Sequence, residues 1–172
     1  ILKASQEGAT VMGICGGYQM MGLEVRDPEG VEGNVRMLPG LGLLPVITTM
    51  QGDKVTRQVE FTFDGTEALC KGYEIHMGRT VPAEGSPPSP FNQLADGREE
   101  GYQDKQKKCL GTYIHGILDN QPFIDFLLAP YIGKLGQQTF DYTAFKEEQY
   151  DKLAALVREH VDMEYIYNSI KN

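Results

Sequence analysis

The chain has 172 residues, 41% of them hydrophobic, with 16 Lys and Arg against 24 Asp and Glu and a formal net charge of −8. That length suits one well-packed domain, residues 1–172, and the acidic balance excludes a nucleic-acid binder, which needs a concentrated basic face. No apolar run approaches the roughly 18 residues of a membrane span and no signal-peptide order opens the chain, so no membrane association is expected and the protein reads as cytoplasmic.

The first nine residues read as the tail of a helix running into Gly8, which suggests a piece of a longer protein. Residues 10–14 (Thr-Val-Met-Gly-Ile) form a short apolar run that suits a strand buried on both faces, as in a parallel sheet. Cys15 follows at its carboxyl end, and residues 16–23, with Tyr18, Met20, Met21 and Leu23, suit a short helix packed on that sheet. Residues 27–42 are rich in glycine and proline and read as loop. Residues 55–63 alternate, with Val55, Arg57, Val59, Phe61 and Phe63 on one side, and predict a half-exposed strand. Residues 72–77, carrying His76, and 109–114, ending at His115, are further strands. Residues 83–90 (Ala-Glu-Gly-Ser-Pro-Pro-Ser-Pro) make a surface connection. Residues 142–170 close the chain as one or two amphipathic helices.

The chemistry concentrates at Gly13-Ile14-Cys15-Gly16-Gly17-Tyr18-Gln19. A nucleophile between glycines at a strand-to-helix turn is the pattern of an elbow, where small neighbours let the backbone bend sharply. Unpaired N–H groups at the helix start favour thiolate over thiol, and that of Gly16 is placed to bind an oxyanion. Cys70 and Cys109 lack this setting and read as buried apolar side chains, and with no C-x-x-C pair neither a disulfide framework nor a metal site is expected. A thiolate needs an imidazole partner to move protons near neutrality. His160 lies on the charged closing helix and reads as surface. His115 and His76 both end strand-like runs, so a parallel sheet would bring either to the edge that carries Cys15.

These motifs resemble a known family. Gly13-Ile14-Cys15-Gly16-Gly17-Tyr18-Gln19-Met20-Met21-Gly22 resembles the nucleophile elbow of class I glutamine amidotransferases. Gly72-Tyr73-Glu74-Ile75-His76-Met77-Gly78 and Gly111-Thr112-Tyr113-Ile114-His115-Gly116 are similar to the cobyric acid synthase branch. The resemblance implies a flavodoxin-like α/β fold, an open and mostly parallel sheet with helices on both faces, whose first strands precede this chain. It implies that Cys15 attacks the amide of glutamine, that His115 is its acid and base, and that Gly16 and Gln19 hold the substrate. Glu74 and His76 fall in a motif near the pocket, with no role assigned. Ammonia would pass to an N-terminal synthetase domain that uses ATP and magnesium to amidate a corrinoid, adenosylcobyrinic acid a,c-diamide, in cobalamin biosynthesis. No cofactor or metal is expected in this domain, which has no G-x-x-x-x-G-K-[ST] phosphate loop.

The chain departs from the family pattern where a glutamate usually follows the histidine by two residues. Ile117 stands there, leaving Asp119 or Glu74 as substitutes, or a cysteine–histidine dyad. The preceding strands and their glycine loop, which supplies a second oxyanion N–H, are expected to lie outside the chain, so residues 1–172 alone are expected to show weak or no glutaminase activity and, with open sheet edges, to be unstable or to pair with another copy. Two alternatives remain at this point: the glutaminase subunit that amidates a cell-wall lipid precursor, and a catalytically silent module of the same fold.

Overall fold

The computed structural model describes residues 1–131 and 141–170. A short helix α1 (Leu2–Gln6) leads through Gly8 into strand β1 (Val11–Ile14), the apolar run expected there. β1 pairs in parallel with β9 (Cys109–Thr112), Ile14 opposite Thr112. β8 (Tyr102–Asp104) lies antiparallel on the far side of β9, giving the order β1-β9-β8. Helix α2 (Gly16–Met21) begins directly after Cys15. Tyr18 and Met21 are buried beneath it, whereas Met20 and Leu23, expected to pack inward, face solvent.

The second sheet is built on a long hairpin. The strand expected at 55–63 is the far half of β4 (Val46–Phe63), and the one expected at 72–77 is the middle of β5 (Cys70–Pro82). Val46, Thr48 and Met50 alternate inward as cleanly as Val59, Phe61 and Phe63 do. Between these stretches the ladder slips: Met50 pairs with Gly78 and Val55 with His76, so residues 51–54 bulge opposite Met77 alone. The polar run Gln-Gly-Asp-Lys at the bulge masks the continuity of β4 in the sequence. Residues 27–42 are largely loop but include a strand, β3 (Met37–Pro39), antiparallel to β2 (Glu24–Arg26), which runs parallel to β4. Two short strands, β6 (Asn92–Leu94) and β7 (Glu99–Glu100), extend the far end of β4.

The class is α/β as expected, with mixed sheets. Among the described residues two of the eight strand pairings are parallel, β1 with β9 and β2 with β4, and the others are antiparallel. The reason is the β4–β5 hairpin, whose antiparallel ladder recruits most of the remaining short strands.

The stretch expected as one strand at 109–114 is divided. β9 ends at Thr112, Tyr113 makes the break, and β10 (Ile114–His115) joins the other sheet against β5. The buried carboxylate of Glu100 fastens this crossing. It accepts the Tyr113 N–H at 2.6 Å, the Thr112 hydroxyl at 2.6 Å and an Asn92 amide N–H at 2.7 Å. Burial outweighs these bonds and raises the Glu100 pKa. Beyond the crossing, Phe123 at the start of α3 (Gln121–Leu128) packs edge-on against Phe63 and Phe91.

The chain divides into two compact units, Ile1–Phe123 and Ile124–Asn172. The second holds α4 (Tyr142–His160), N-capped by the Asp141 carboxylate on the Ala144 N–H, and α5 (Met163–Ile170), the two closing helices expected from periodicity. Among the described residues no helix is long and apolar enough to cross a membrane.

Candidate active site

Cys15 sits at the turn from β1 into α2 with φ 53° and ψ −114°, a backbone conformation that a non-glycine residue adopts only when its surroundings impose it. Three bonds do so. Its N–H donates to the Thr112 carbonyl at 2.8 Å, its carbonyl accepts the Gln19 N–H at 3.1 Å, and its thiol donates to the Ile75 carbonyl at 3.6 Å. Gly13 is what lets α2 approach so closely. A Cβ there would lie 2.7 Å from the backbone carbonyl of Gly17 and 2.6 Å from Met21 Sδ, whereas one on Gly16 or Gly17 would meet nothing. Strand and helix therefore touch through two bare backbones.

Cys15, Gly16, Gln19, Ile75 and His76 line one cavity of about 440 Å³. The Gln19 amide is held by a chain of hydroxyls: its N–H donates to Tyr113 Oη at 3.3 Å, which lies 2.7 Å from Thr80 Oγ1, itself 2.7 Å from Thr48 Oγ1. Gly78 makes room for this, since a Cβ there would stand 2.5 Å from Gln19 Nε2 and 3.0 Å from Tyr113 Oη. The His76 ring stacks on Tyr113 with centroids 3.9 Å apart, and its Nδ1 lies 2.8 Å from the Gly78 carbonyl. A carbonyl only accepts, so Nδ1 carries a proton, and this bond turns Nε2 toward the Glu74 carboxylate.

Glu74 lies one step behind. It is 3% exposed and its carboxylate meets Arg57 Nε at 2.7 Å, an Arg98 nitrogen at 3.4 Å and His76 Nε2 at 3.7 Å, the last an ion-pair distance too long for a hydrogen bond. Burial acts to raise its pKa, but His76, Arg57 and Arg98 outweigh it and hold the carboxyl below its ordinary value. Glu74 and His76 also line a neighbouring cavity of about 600 Å³.

His115 is not among the residues lining the Cys15 cavity. It pairs with Tyr73 across β10 and β5, and the two rings stack with centroids 5.0 Å apart. Its Nε2 is buried and has no hydrogen-bond partner among the described residues. Alternation along β5 puts Tyr73 and Ile75 on one face, so His115 shares a strand face with the residue whose carbonyl takes the Cys15 thiol, about 7 Å further along. Glu74 pairs with Ile114 and projects from the opposite face, away from the His115 side chain. Ile117, where the family pattern has a carboxylate, is completely buried.

Cys70 and Cys109 are free and buried, and His160 is exposed on α4, as expected. Sequence reasoning gave no role to Tyr113, Thr80 and Glu100. Tyr113 stood within a recognised motif, but only the fold reveals that its hydroxyl reaches Gln19. Glu100 follows Glu99 and reads as an exposed acidic pair, so nothing local marks it as buried.

A cysteine forced into positive φ at a strand-to-helix turn, opening on a cavity beside a fixed amide and an oriented imidazole, has the geometry of a nucleophile-elbow α/β domain. Residues 1–123 match the CobB/CobQ-like glutamine amidotransferase domain, and the chain belongs to that family. The match ends where the first compact unit ends. The chain is 64% identical over 167 residues to a cobyric acid synthase of Bacteroides fragilis, covering 97% of this chain and 34% of that protein. It is 62% identical over 168 residues to one from Phocaeicola vulgatus, covering 97% and 34%, and 55% identical over 174 residues to one from Parabacteroides distasonis, covering 100% and 35%. The chain thus spans about a third of the length of these curated relatives. A crystal structure of a glutamine amidotransferase aligns at a TM-score of 0.46 with 16% identity, covering 74% of this chain and 64% of that one.

Proposed function

We propose that this chain is the glutaminase part of a cobyric acid synthase, in which Cys15 attacks the side-chain amide of glutamine and releases ammonia for amidation of a corrinoid. The observation that carries the reading is the imposed backbone of Cys15 above a cavity shared with Gly16 and Gln19. In this reading the Gly16 N–H stabilises the tetrahedral oxyanion and Gln19, fixed through Tyr113, holds the substrate. His115 takes the thiol proton and returns it to the departing ammonia, and water then hydrolyses the thioester. Its support is the motif that carries it, its unpartnered Nε2 and the strand face it shares with Ile75. With Ile117 in the core and Glu74 on the other face, the arrangement proposed is Cys15 with His115, as a dyad or with Asp119 as third member.

ATP, magnesium and the acceptor adenosylcobyrinic acid a,c-diamide are assigned to a synthetase domain outside this chain, which would receive the ammonia. No residue of this chain is given a part in binding them. A second reading of the base rests on one observation: His76 lines the Cys15 cavity, with its ring oriented by the Gly78 carbonyl. Glutamate release by the full-length protein tests both. Cys15→Ala is expected to abolish it and His115→Asn to lower kcat about 10²- to 10⁴-fold. A full effect in His76→Asn with His115→Asn near wild type would transfer the role to His76.

A further inference from the structure

Two charged residues that line the Cys15 cavity have no part in the chemistry above: Glu32 and Lys54. Among the described residues neither is engaged in an ion pair with another side chain, and each reaches the cavity by a dedicated backbone irregularity. Lys54 ends the bulge in which residues 51–54 face Met77 alone, and bulges of this kind re-aim side chains beside active sites. Glu32 lies in a loop that Asp27 clamps from within. The Asp27 carboxylate, 6% exposed, accepts the Val31 N–H at 2.7 Å and the Glu32 N–H at 2.9 Å, while Arg36 donates to the Pro28 carbonyl at 3.0 Å.

One anionic and one cationic group thus face a cavity floored by a nucleophilic thiol. A ligand that matches carries an ammonium, a carboxylate and, on a separate arm, a carbonyl for Cys15. We infer that Glu32 and Lys54 are the specificity-determining pair of this site, Glu32 receiving the α-ammonium and Lys54 the α-carboxylate of the amino-acid substrate. The inference rests on the glutaminase reading and names how that site tells glutamine from other primary amides. Both side chains act on binding, so their effect falls on KM rather than on the chemical step.

The test uses glutamine and two analogues that each lack one charge: glutaramate, without the ammonium, and 4-aminobutanamide, without the carboxylate. KM for glutamine and competitive inhibition constants for the analogues are measured with the full-length protein and with its Glu32→Gln and Lys54→Met variants, both changes at exposed positions. Glu32→Gln is expected to raise KM for glutamine and Ki for 4-aminobutanamide roughly three- to tenfold and to leave glutaramate within twofold, a size suited to charge-assisted contacts at a solvent-exposed rim. Lys54→Met is expected to do the reverse, weakening glutamine and glutaramate and sparing 4-aminobutanamide. Unchanged KM in both variants of an active enzyme, or equal losses for both analogues, overturns the pair while leaving the glutaminase reading intact. A wild-type protein that releases no glutamate overturns both.

Discussion

Gly13→Ala probes the close approach that shapes the elbow. The new Cβ would stand 2.7 Å from the Gly17 backbone, well inside the 3.4 Å at which ordinary van der Waals contact begins. Met21 Sδ, also within 2.6 Å, is the end of a flexible chain and yields, but the Gly17 carbonyl does not. The start of α2 must therefore retreat by about 0.7 Å, taking Gly16 and Gln19 with it, and forced overpacking of this kind costs about 1–3 kcal/mol. Misplacement of reacting groups by about 1 Å costs on the order of 10²-fold in rate. Glutamate release normalised to folded protein should thus fall about 30- to 100-fold, with a melting temperature lower by roughly 2–12 °C by calorimetry. Gly17→Ala is the control, since its Cβ meets nothing and alanine favours a helix by about 1 kcal/mol. Its melting temperature should hold or rise. Wild-type activity in Gly13→Ala, or an equal loss of melting temperature in Gly17→Ala, would refute the reasoning.

Tyr113→Phe removes the hydroxyl that holds the Gln19 amide and should raise KM for glutamine about 2- to 10-fold, with kcat within threefold of wild type; steady-state kinetics with an unchanged KM would contradict it. Glu74→Gln tests the buried cluster through pH. The folded-state pKa of Glu74 lies below its ordinary 4.5, so its stabilisation is present above that value and is lost as pH falls through the folded one. Melting temperatures measured from pH 6 to pH 3 should show wild type above Glu74→Gln at pH 6 and the gap closing on acidification; a gap independent of pH would contradict it. Glu100→Ala orphans the Tyr113 N–H, the Thr112 hydroxyl and an Asn92 amide N–H, and at about 1–3 kcal/mol for each buried group it should destabilise by about 3 kcal/mol or more in chemical denaturation. A smaller loss would mean that water enters and satisfies those groups.

The elbow was legible because its signal is local. An apolar run, a cysteine between glycines and a short helix specify a strand, a turn and a packed helix within a dozen residues, and β1, Cys15 and α2 appear in that order. The β4–β5 hairpin was only half legible, because the bulge at 51–54 breaks the alternation that marks a strand. The break at Tyr113 was hidden for a different reason. Residues 109–114 read as one uninterrupted strand, and only the Glu100 clamp from another strand and the pairing of Ile114 with Glu74 divide them between two sheets. Gln19 stood in its motif, whereas its support by Tyr113, Thr80 and Thr48 depends on contacts across 94 and 33 residues of sequence. The roles of His76 and His115 follow the same division. Their motifs place both at strand ends, and only the register separates the ring that lines the cavity from the ring that stacks on Tyr73.

The most direct measurement treats the full-length protein with a glutamine-mimicking electrophile and locates the adduct by peptide mass spectrometry. A single covalent adduct on Cys15, suppressed by excess glutamine and slowed in His115→Asn, with Cys70 and Cys109 unmodified, is the expected result. An unreactive Cys15, or labelling that spreads over the three cysteines and ignores glutamine, would contradict the assignment of this elbow as the nucleophile.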